Sequence, residues 1–498
     1  IKNSPNSNSY LSIPYFSAVS LNKDITFTPR FYTDDKFLFQ SEYRQVNKNS
    51  KLISDFSFFN ENNKSSKNHF FYDYEKIMNF SYFEDSSLNL NIEKTSNDTY
   101  LKSNKLISSL IKDYNVLKNN LSLNLYSENL SVNTEFTVYE NLDKNSNDRY
   151  EFILPKINLS KKINNKTNLD GNFLFKSNNL ITNYQTNIFE KTNINDLIFN
   201  SNPKIYGNGF YNNYDFIIKN VNSDSQNSSS FKEGENFYIS GLFQFNSSLP
   251  LIKKSNGYKK ILKPKISLKL SPNNTKDISN DNDYRLDVGN IFNIDRLSSN
   301  DTIEGGVSLA YGSDFTIFND IKDREIFSLK LANNLRLEEN KDLPKINQLG
   351  EKTSNFFGEI AYSPNKYLTT KYNASSKNNI TNLSYENFKA EISINNFVTT
   401  FDYLNENTSS NENSYLLNTT RYALNNRNNL IFSTRENKSS NLTEYYNLIY
   451  QYKNDCLAAS IEYNKDYYSD RDIKPEESIF FKLTIIPFGK TSSPNLKN

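Results

Sequence analysis

Residues 121–138 read LSLNLYSENLSVNTEFTV, and their alternation decides the fold. Leu121, Leu123 and Leu125 are separated by the polar Ser122 and Asn124. Past the turn-like Ser127-Glu128-Asn129, Leu130, Val132, Phe136 and Val138 alternate with Ser131, Asn133, Glu135 and Thr137. Successive side chains of a strand point to opposite faces, so this stretch predicts a β-hairpin with one apolar and one polar face. Leu88/Leu90/Ile92 against Asn89/Asn91/Glu93 repeats the pattern, as do Ile266/Leu268/Leu270 against Lys265/Ser267/Lys269 and Phe388/Ala390/Ile392/Ile394 against Lys389/Glu391/Ser393.

Composition narrows what such strands can build. The chain has 498 residues, only 36% of them hydrophobic, and its mean hydropathy is −0.71. That polarity alone would suggest disorder, but a formal charge of +2 and 34 Tyr with 37 Phe argue against it. No run approaches the 18 or so apolar residues of a spanning helix. Basic residues are scattered, so there is no nucleic-acid footprint. One Cys and one His cannot form a Cys/His metal site or an internal disulfide, and no cofactor motif occurs. Gly and Pro, 13 each, are too few for a collagen-like chain. The start at Ile1, without Met or signal, reads as a mature or trimmed segment.

Two architectures fit alternation on one side only: a soluble sandwich with a dry core, and a closed barrel in lipid with a wet lumen. Uniform period, polar connections and aromatics such as Phe210-Tyr211, Tyr445-Tyr446 and Tyr467-Tyr468 near strand ends favour the barrel, although Trp is absent. In hydrocarbon every backbone group needs a partner, so the sheet must close. The stretches 140–150, 219–236, 272–284 and 404–415 are expected as loops, and residues 1–498 as one barrel domain with no internal repeat beyond the hairpin.

Few residues suggest chemistry. His69 has no nucleophile near it in sequence and reads as an ordinary strand or loop histidine; no catalytic site, and hence no enzyme, is expected. Asp281, Asp283, Asp287 and Asp301 lack the Gly and terminal Glu of a calcium loop, and Asn-x-Ser/Thr triplets such as Asn97-Asp98-Thr99 are expected by chance. Pro14 and Pro29 lie in the first two expected strands, where each marks either a missing ladder bond or a strand end. Cys456 is either inert or half of a bridge to a segment outside this chain.

Ile13-Pro14-Tyr15-Phe16 followed by Asn22-Lys23-Asp24-Ile25-Thr26-Phe27-Thr28-Pro29-Arg30 resembles the start of the barrel in the lipopolysaccharide-assembly family LptD, also called OstA. Leu262-Lys263-Pro264, Ser271-Pro272, Asn282-Asp283, Gly289-Asn290-Ile291-Phe292, Asp295-Arg296, Asp301, Glu304-Gly305-Gly306 and Tyr311-Gly312 resemble that family's middle section. Asp455-Cys456-Leu457-Ala458 and Ser478 to Phe488 resemble its end; residues 165–255 match least.

The resemblance implies an all-β, transmembrane antiparallel barrel of about 26 strands in a Gram-negative outer membrane. It also implies lipopolysaccharide as cargo, an LptE-like lipoprotein plugging the lumen, and an LptA-like periplasmic bridge reached through an N-terminal jelly-roll domain absent from these residues. Two features depart from the family. Its cysteine pair is reduced to Cys456, which either bridges to a segment outside this chain or stays reduced, and Ile486-Pro487-Phe488-Gly489 replaces its Gly-Leu-Gly. The expected mechanism is non-enzymatic: a polar lumen for the sugars and a lateral gate between first and last strands for the acyl chains. Ile479, Phe481, Leu483 and Ile485, alternating with Ser478, Phe480, Lys482 and Thr484, would form one side of that gate. Pro14 and Pro29 would weaken the other by removing ladder bonds. The competing expectations are a porin or TonB-dependent type channel for small solutes, and a soluble β-rich surface fragment.

Overall fold

The computed structural model describes residues 2–3, 9–33, 36–62, 64–145, 148–165, 167–272, 274–281, 284–297, 299–321, 323–377, 382–407, 412–467 and 475–485. These form one antiparallel sheet of 29 strand segments. Three segments continue their predecessors across a break. Tyr10–Ser12 and Tyr15–Ser20 both pair with Lys23–Tyr32. Ile188–Ser201 and Lys204–Ile205 both pair with Tyr211–Gln226, and Gly234–Ser248 and Leu251–Ser255 both pair with Tyr258–Ser271. Merging these leaves 26 strands, as the family resemblance implies. Each pairs with the next in sequence. Lys2–Asn3 pairs with both Glu476–Ile485 and Tyr10–Ser12, so the sheet closes.

The hairpin at 121–138 shows why this is a membrane barrel. Val116–Ser127 and Leu130–Asn141 pair around Glu128-Asn129, with Leu121 opposite Phe136 and Ser122 opposite Glu135. Leu121 and Phe136 are exposed while Ser122 and Thr137 are buried, the reverse of a soluble sandwich. Ile266 and Leu270 likewise face out and Ser267 and Lys269 in. No helix among the described residues is long and apolar enough to cross a membrane.

The two ends of the barrel differ. One carries tight turns such as Leu21-Asn22, Lys48-Asn49, Asn395-Asn396 and Asn426-Arg427. The other carries the long connections 96–115, 272–305 and 337–355. These long connections fold inward. Leu101, Leu106 and Leu110 pack on the lumen-facing Leu38, Ile53 and Phe71. Leu286, Ile291 and Leu297, with Leu343 and Leu349, pack on Ala310, Ala332 and Phe357. The lumen therefore holds two small apolar cores, where alternation alone predicted only water.

The expected loops need one clear correction. Residues 219–226 belong to Tyr211–Gln226 and the next strand opens at Gly234, so the loop is only 227–233. Asn and Ser misled here because a strand can carry amides as a side-chain ladder: Asn222 Nδ2 donates to Asn193 Oδ1 on the neighbouring strand and to Asn220 Oδ1 on its own. The stretch 404–415 is also mostly strand, ending at Asn407 and resuming at Glu412; residues 408–411 lie outside the described residues.

Candidate functional site

Among the described residues, the seam where the sheet closes is the least paired junction: Lys2–Asn3 meets the last strand at Phe480 and Ile479 and the first full strand at Lys2–Tyr10. A Tyr10–Phe480 edge contact, ring centroids 6.5 Å apart, bridges the paired end.

Both prolines act here, differently. Pro14 sits at the break between Tyr10–Ser12 and Tyr15–Ser20, while the register is the same on either side, Ser12 opposite Arg30 and Tyr15 opposite Phe27. Pro29 lies inside Lys23–Tyr32, opposite Phe39. Its carbonyl accepts from the Ile13 N–H at 3.3 Å, so the side on which it lacks a donor is the side facing the first strand. A void of about 380 Å³ lined by Pro14, Thr26, Thr28, Gln40, Phe481 and Leu483 links lumen to seam. Ile479, Phe481 and Leu483 face outward at 50%, 44% and 52% exposure, and Ser478 is buried inward. Ile485 is in the strand opposite Leu457, but its side chain lies outside the described residues.

The central motif residues converge inside the lumen. Fully buried Arg296 donates to both oxygens of Glu304 (2.6 and 2.7 Å), to the Ile291 carbonyl (2.8 Å), Ser308 Oγ (3.0 Å) and Asn334 Oδ1 (2.8 Å). Arg336 Nη1 donates to Glu304 Oε1 at 2.7 Å, and Lys269 Nζ lies 3.7 Å from Glu304 Oε2. Burial would raise the Glu304 pKa, but the Arg296, Lys269 and Arg336 charges outweigh it and hold the carboxyl well below its ordinary range. The connection 272–305 is thus pinned to the wall by one carboxylate shared among three cations.

The other motif positions support that connection. Asp301 pairs with Lys276 and accepts from Ser299. Asn290 accepts from the Asp287 N–H (2.8 Å) and donates to the Arg285 carbonyl (3.0 Å). Phe292 lies 4.4 Å beneath Lys265 Nζ and against Gly312, where an added Cβ would strike the Leu331 carbonyl. Gly306 opens the strand Gly306–Asn319 at φ +86°, a left-handed conformation suited to glycine. Tyr311 lies opposite Asn333 and Ile266 within the ladder, and exposed Pro264 faces Ser313. Asn282 and Asp283 lie outside the described residues.

The sequence reading missed a polar cluster around His69. Ser57 Oγ hydrogen-bonds His69 Nδ1 at 2.5 Å and Tyr100 OH at 2.7 Å. His69 Nε2 lies 3.5 Å from Asp55 Oδ1, and Gln40 Nε2 donates to Asp55 at 2.9 Å. The residue types are those of a hydrolase triad, yet all are buried beneath the short helix Tyr100–Ser103. What they do is hold Tyr100, and with it the connection 96–115, against the wall. Burial pushes the Tyr100 phenol up to about 12, so it stays un-ionised. Inward positions 55, 57 and 69 share a face across adjacent strands, the one signal available beforehand.

Cys456 is a half-buried free thiol in the tight-turn connection before Leu457–Asp466, its N–H donating to Asn454 Oδ1 at 2.9 Å. Residues 486–489 lie outside the described residues. No group of His, Cys, Asp and Glu among the described residues could hold a metal ion.

The family model LptD, LPS transport system D, matches residues 67–437. No curated protein sequence matches the chain. Among solved structures, it is similar to the siderophore receptor PirA from Pseudomonas aeruginosa, at 8% identity and TM-score 0.37 over 96% of this chain and 80% of that one. It is also similar to the FrpB iron transporter from Neisseria meningitidis, at 7% identity and TM-score 0.30 over 93% and 81%. At such scores these likenesses carry no argument about function.

Proposed function

The chain belongs to the LptD family, LPS transport system D, and from that premise we propose that it is an outer-membrane translocon inserting lipopolysaccharide into the outer leaflet. The cargo is an amphiphile: its sugars need a wet path and its acyl chains need lipid. The polar lumen serves the first and a lateral gate between first and last strands serves the second. Tight turns would face the periplasm and the long connections the outside, the usual asymmetry of bacterial barrels. An LptE-like lipoprotein in the lumen and an LptA-like periplasmic bridge would complete the route. No step in it makes or breaks a covalent bond.

The observation that carries this reading is the seam. Among the described residues a two-residue ladder joins Lys2–Asn3 to the last strand, while neighbouring strands elsewhere in the barrel share six or more paired positions. At about 0.5–1.5 kcal/mol net per bond, parting it is far easier than parting any other pair of strands. Outward-facing Phe481 and Leu483 on the last strand and exposed Tyr15 and Phe16 on the first give an opened slot apolar lips. Photo-crosslinking in cells, with probes beside Pro14 and at Phe481 and a control on the wall at Leu268, is expected to yield lipopolysaccharide adducts at the seam only. Adducts nowhere, from a folded protein with its lipoprotein bound, would remove the gate and favour a small-solute channel.

A further inference from the structure

The connection 96–115 does more than fill the lumen, because two adjacent residues in it reach opposite sides of the seam. Arg30 Nη1, on Lys23–Tyr32, donates to the Asn104 carbonyl at 2.6 Å. Lys105 Nζ lies 3.2 Å from Asp466 Oδ2 and 3.0 Å from Glu476 Oε2, where the last two strands meet the long-loop end. The link runs from the third strand to the last two and bypasses the short Lys2–Asn3 ladder. On the same side, Gln40 Nε2 donates to the Ile107 carbonyl at 3.1 Å, so the connection is anchored to the first-strand wall twice.

Lys105 is held there against its own backbone preference. Its φ is +44°, in the left-handed region that favours glycine or asparagine, and such strain tends to persist where a side chain has work to do. Burial opposes its charge, but the Glu476 and Asp466 carboxylates outweigh burial and raise its pKa. Lys105, Asp466 and Glu476 also line a cavity of about 1090 Å³ against the last strands, with Lys102, Lys112 and Lys482. Lys102 is 3.3 Å from Asp143 and Lys482 2.7 Å from Glu462, while Lys105 reaches two carboxylates at once.

We propose that Asn104-Lys105 is a latch across the seam, and that the phosphate of an incoming phosphorylated glycolipid releases it by taking Lys105 from Asp466 and Glu476. The proposal rests on the lateral-gate reading. A phosphomonoester offers close to two negative charges and three acceptor oxygens on one group, so it competes with two separate carboxylates for one ammonium. Once Lys105 has turned to the phosphate, this link no longer reinforces the Lys2–Asn3 ladder and the Tyr10–Phe480 contact across the seam. Opening is thereby coupled to the arrival of cargo, and an empty translocon stays shut.

The test uses the full-length protein with its lipoprotein in nanodiscs, with spin labels carried by noncanonical residues at Val19 and Leu483. Hexa-acylated bis-phosphorylated lipid A is expected to populate a longer seam distance. The dephosphorylated lipid and inorganic phosphate at equal concentration are expected not to. Lys105→Gln should raise the open fraction without ligand by about threefold, the size expected for losing a partly exposed ion pair, and abolish the response. Lys105→Arg should behave as wild type. Lys105→Glu with Asp466→Lys and Glu476→Lys should restore the closed seam without ligand. A closed, lipid-A-responsive Lys105→Gln variant would overturn the latch and leave the gate standing. A seam that never lengthens in a protein still exporting lipopolysaccharide would overturn the gate itself. Opening by inorganic phosphate alone would overturn the assignment to a glycolipid.

Discussion

Glu304 shows how one residue fixes the interior of a barrel. A carboxylate out of water is costly unless paired, and here Arg296 and Arg336 donate to it while Lys269 stands near. Because its folded pKa is depressed, the stabilisation it gives is present above the unfolded value of about 4.3 and is lost as pH falls toward the folded one. Docking of the connection 272–305 should therefore be constant from neutral pH down to about 4 and weaken steadily below it. The chain has no Trp, so Tyr284→Trp gives a clean fluorescence reporter of that docking. Glu304→Gln should undock the connection at neutral pH, at about 3–5 kcal/mol for breaking a buried pair, and flatten the acid transition. An acid transition unchanged by Glu304→Gln would assign it to other carboxylates.

At the level of elements, the same chemistry decides how the connection 96–115 is held. Tyr100→Phe removes one hydrogen bond to Ser57 and leaves the ring packing in place. The loss is expected to be about 1 kcal/mol, hence about fivefold faster tryptic cleavage after Lys102 and Lys105 in the intact barrel. Unchanged cleavage would mean that Leu101, Leu106 and Leu110 hold the connection unaided. The strands themselves were legible in the sequence because a period of two needs only local information, as at Leu121 to Val138. The inward folding of 96–115 was not legible. Leu101 and Leu106 have a partner face only once Leu38 and Phe71 are brought into the lumen by strand order. For the same reason Ser57, twelve residues from His69, looked unrelated to it until the register set the two opposite each other. The seam was half legible: proline chemistry marked Pro14 and Pro29 as missing donors, but the two-residue strand at Lys2–Asn3 carries no periodic signal at all.

For the whole molecule the question is what keeps a ring of 26 strands from being an open pore. A lumen of that girth, lined by Ser, Asn, Thr and Lys, would fill with water and conduct if nothing occupied it. The two apolar cores occupy it, built from connections that enter from one end and are pinned by Glu304 on one wall and by the Ser57–Tyr100 contact on the other. The intact chain should thus conduct poorly in planar bilayers. Replacing residues 279–300 by a short Gly-Ser linker should raise single-channel conductance several-fold, since the cross-section freed becomes aqueous. The barrel should survive this loss, because Glu304 stays in place as the partner of Lys269 and Arg336 and the water that enters solvates all three. Its survival is read from retained heat-modifiable migration on gels. A folded variant with unchanged conductance would mean that the remaining connections 96–115 and 337–355 block the path alone. The same excision removes Arg296 but leaves Lys105, Asp466 and Glu476 in place, so the seam should stay latched while the pore conducts. Ion flow along the axis and the proposed release through the wall would then be separable properties of one barrel, governed by different connections.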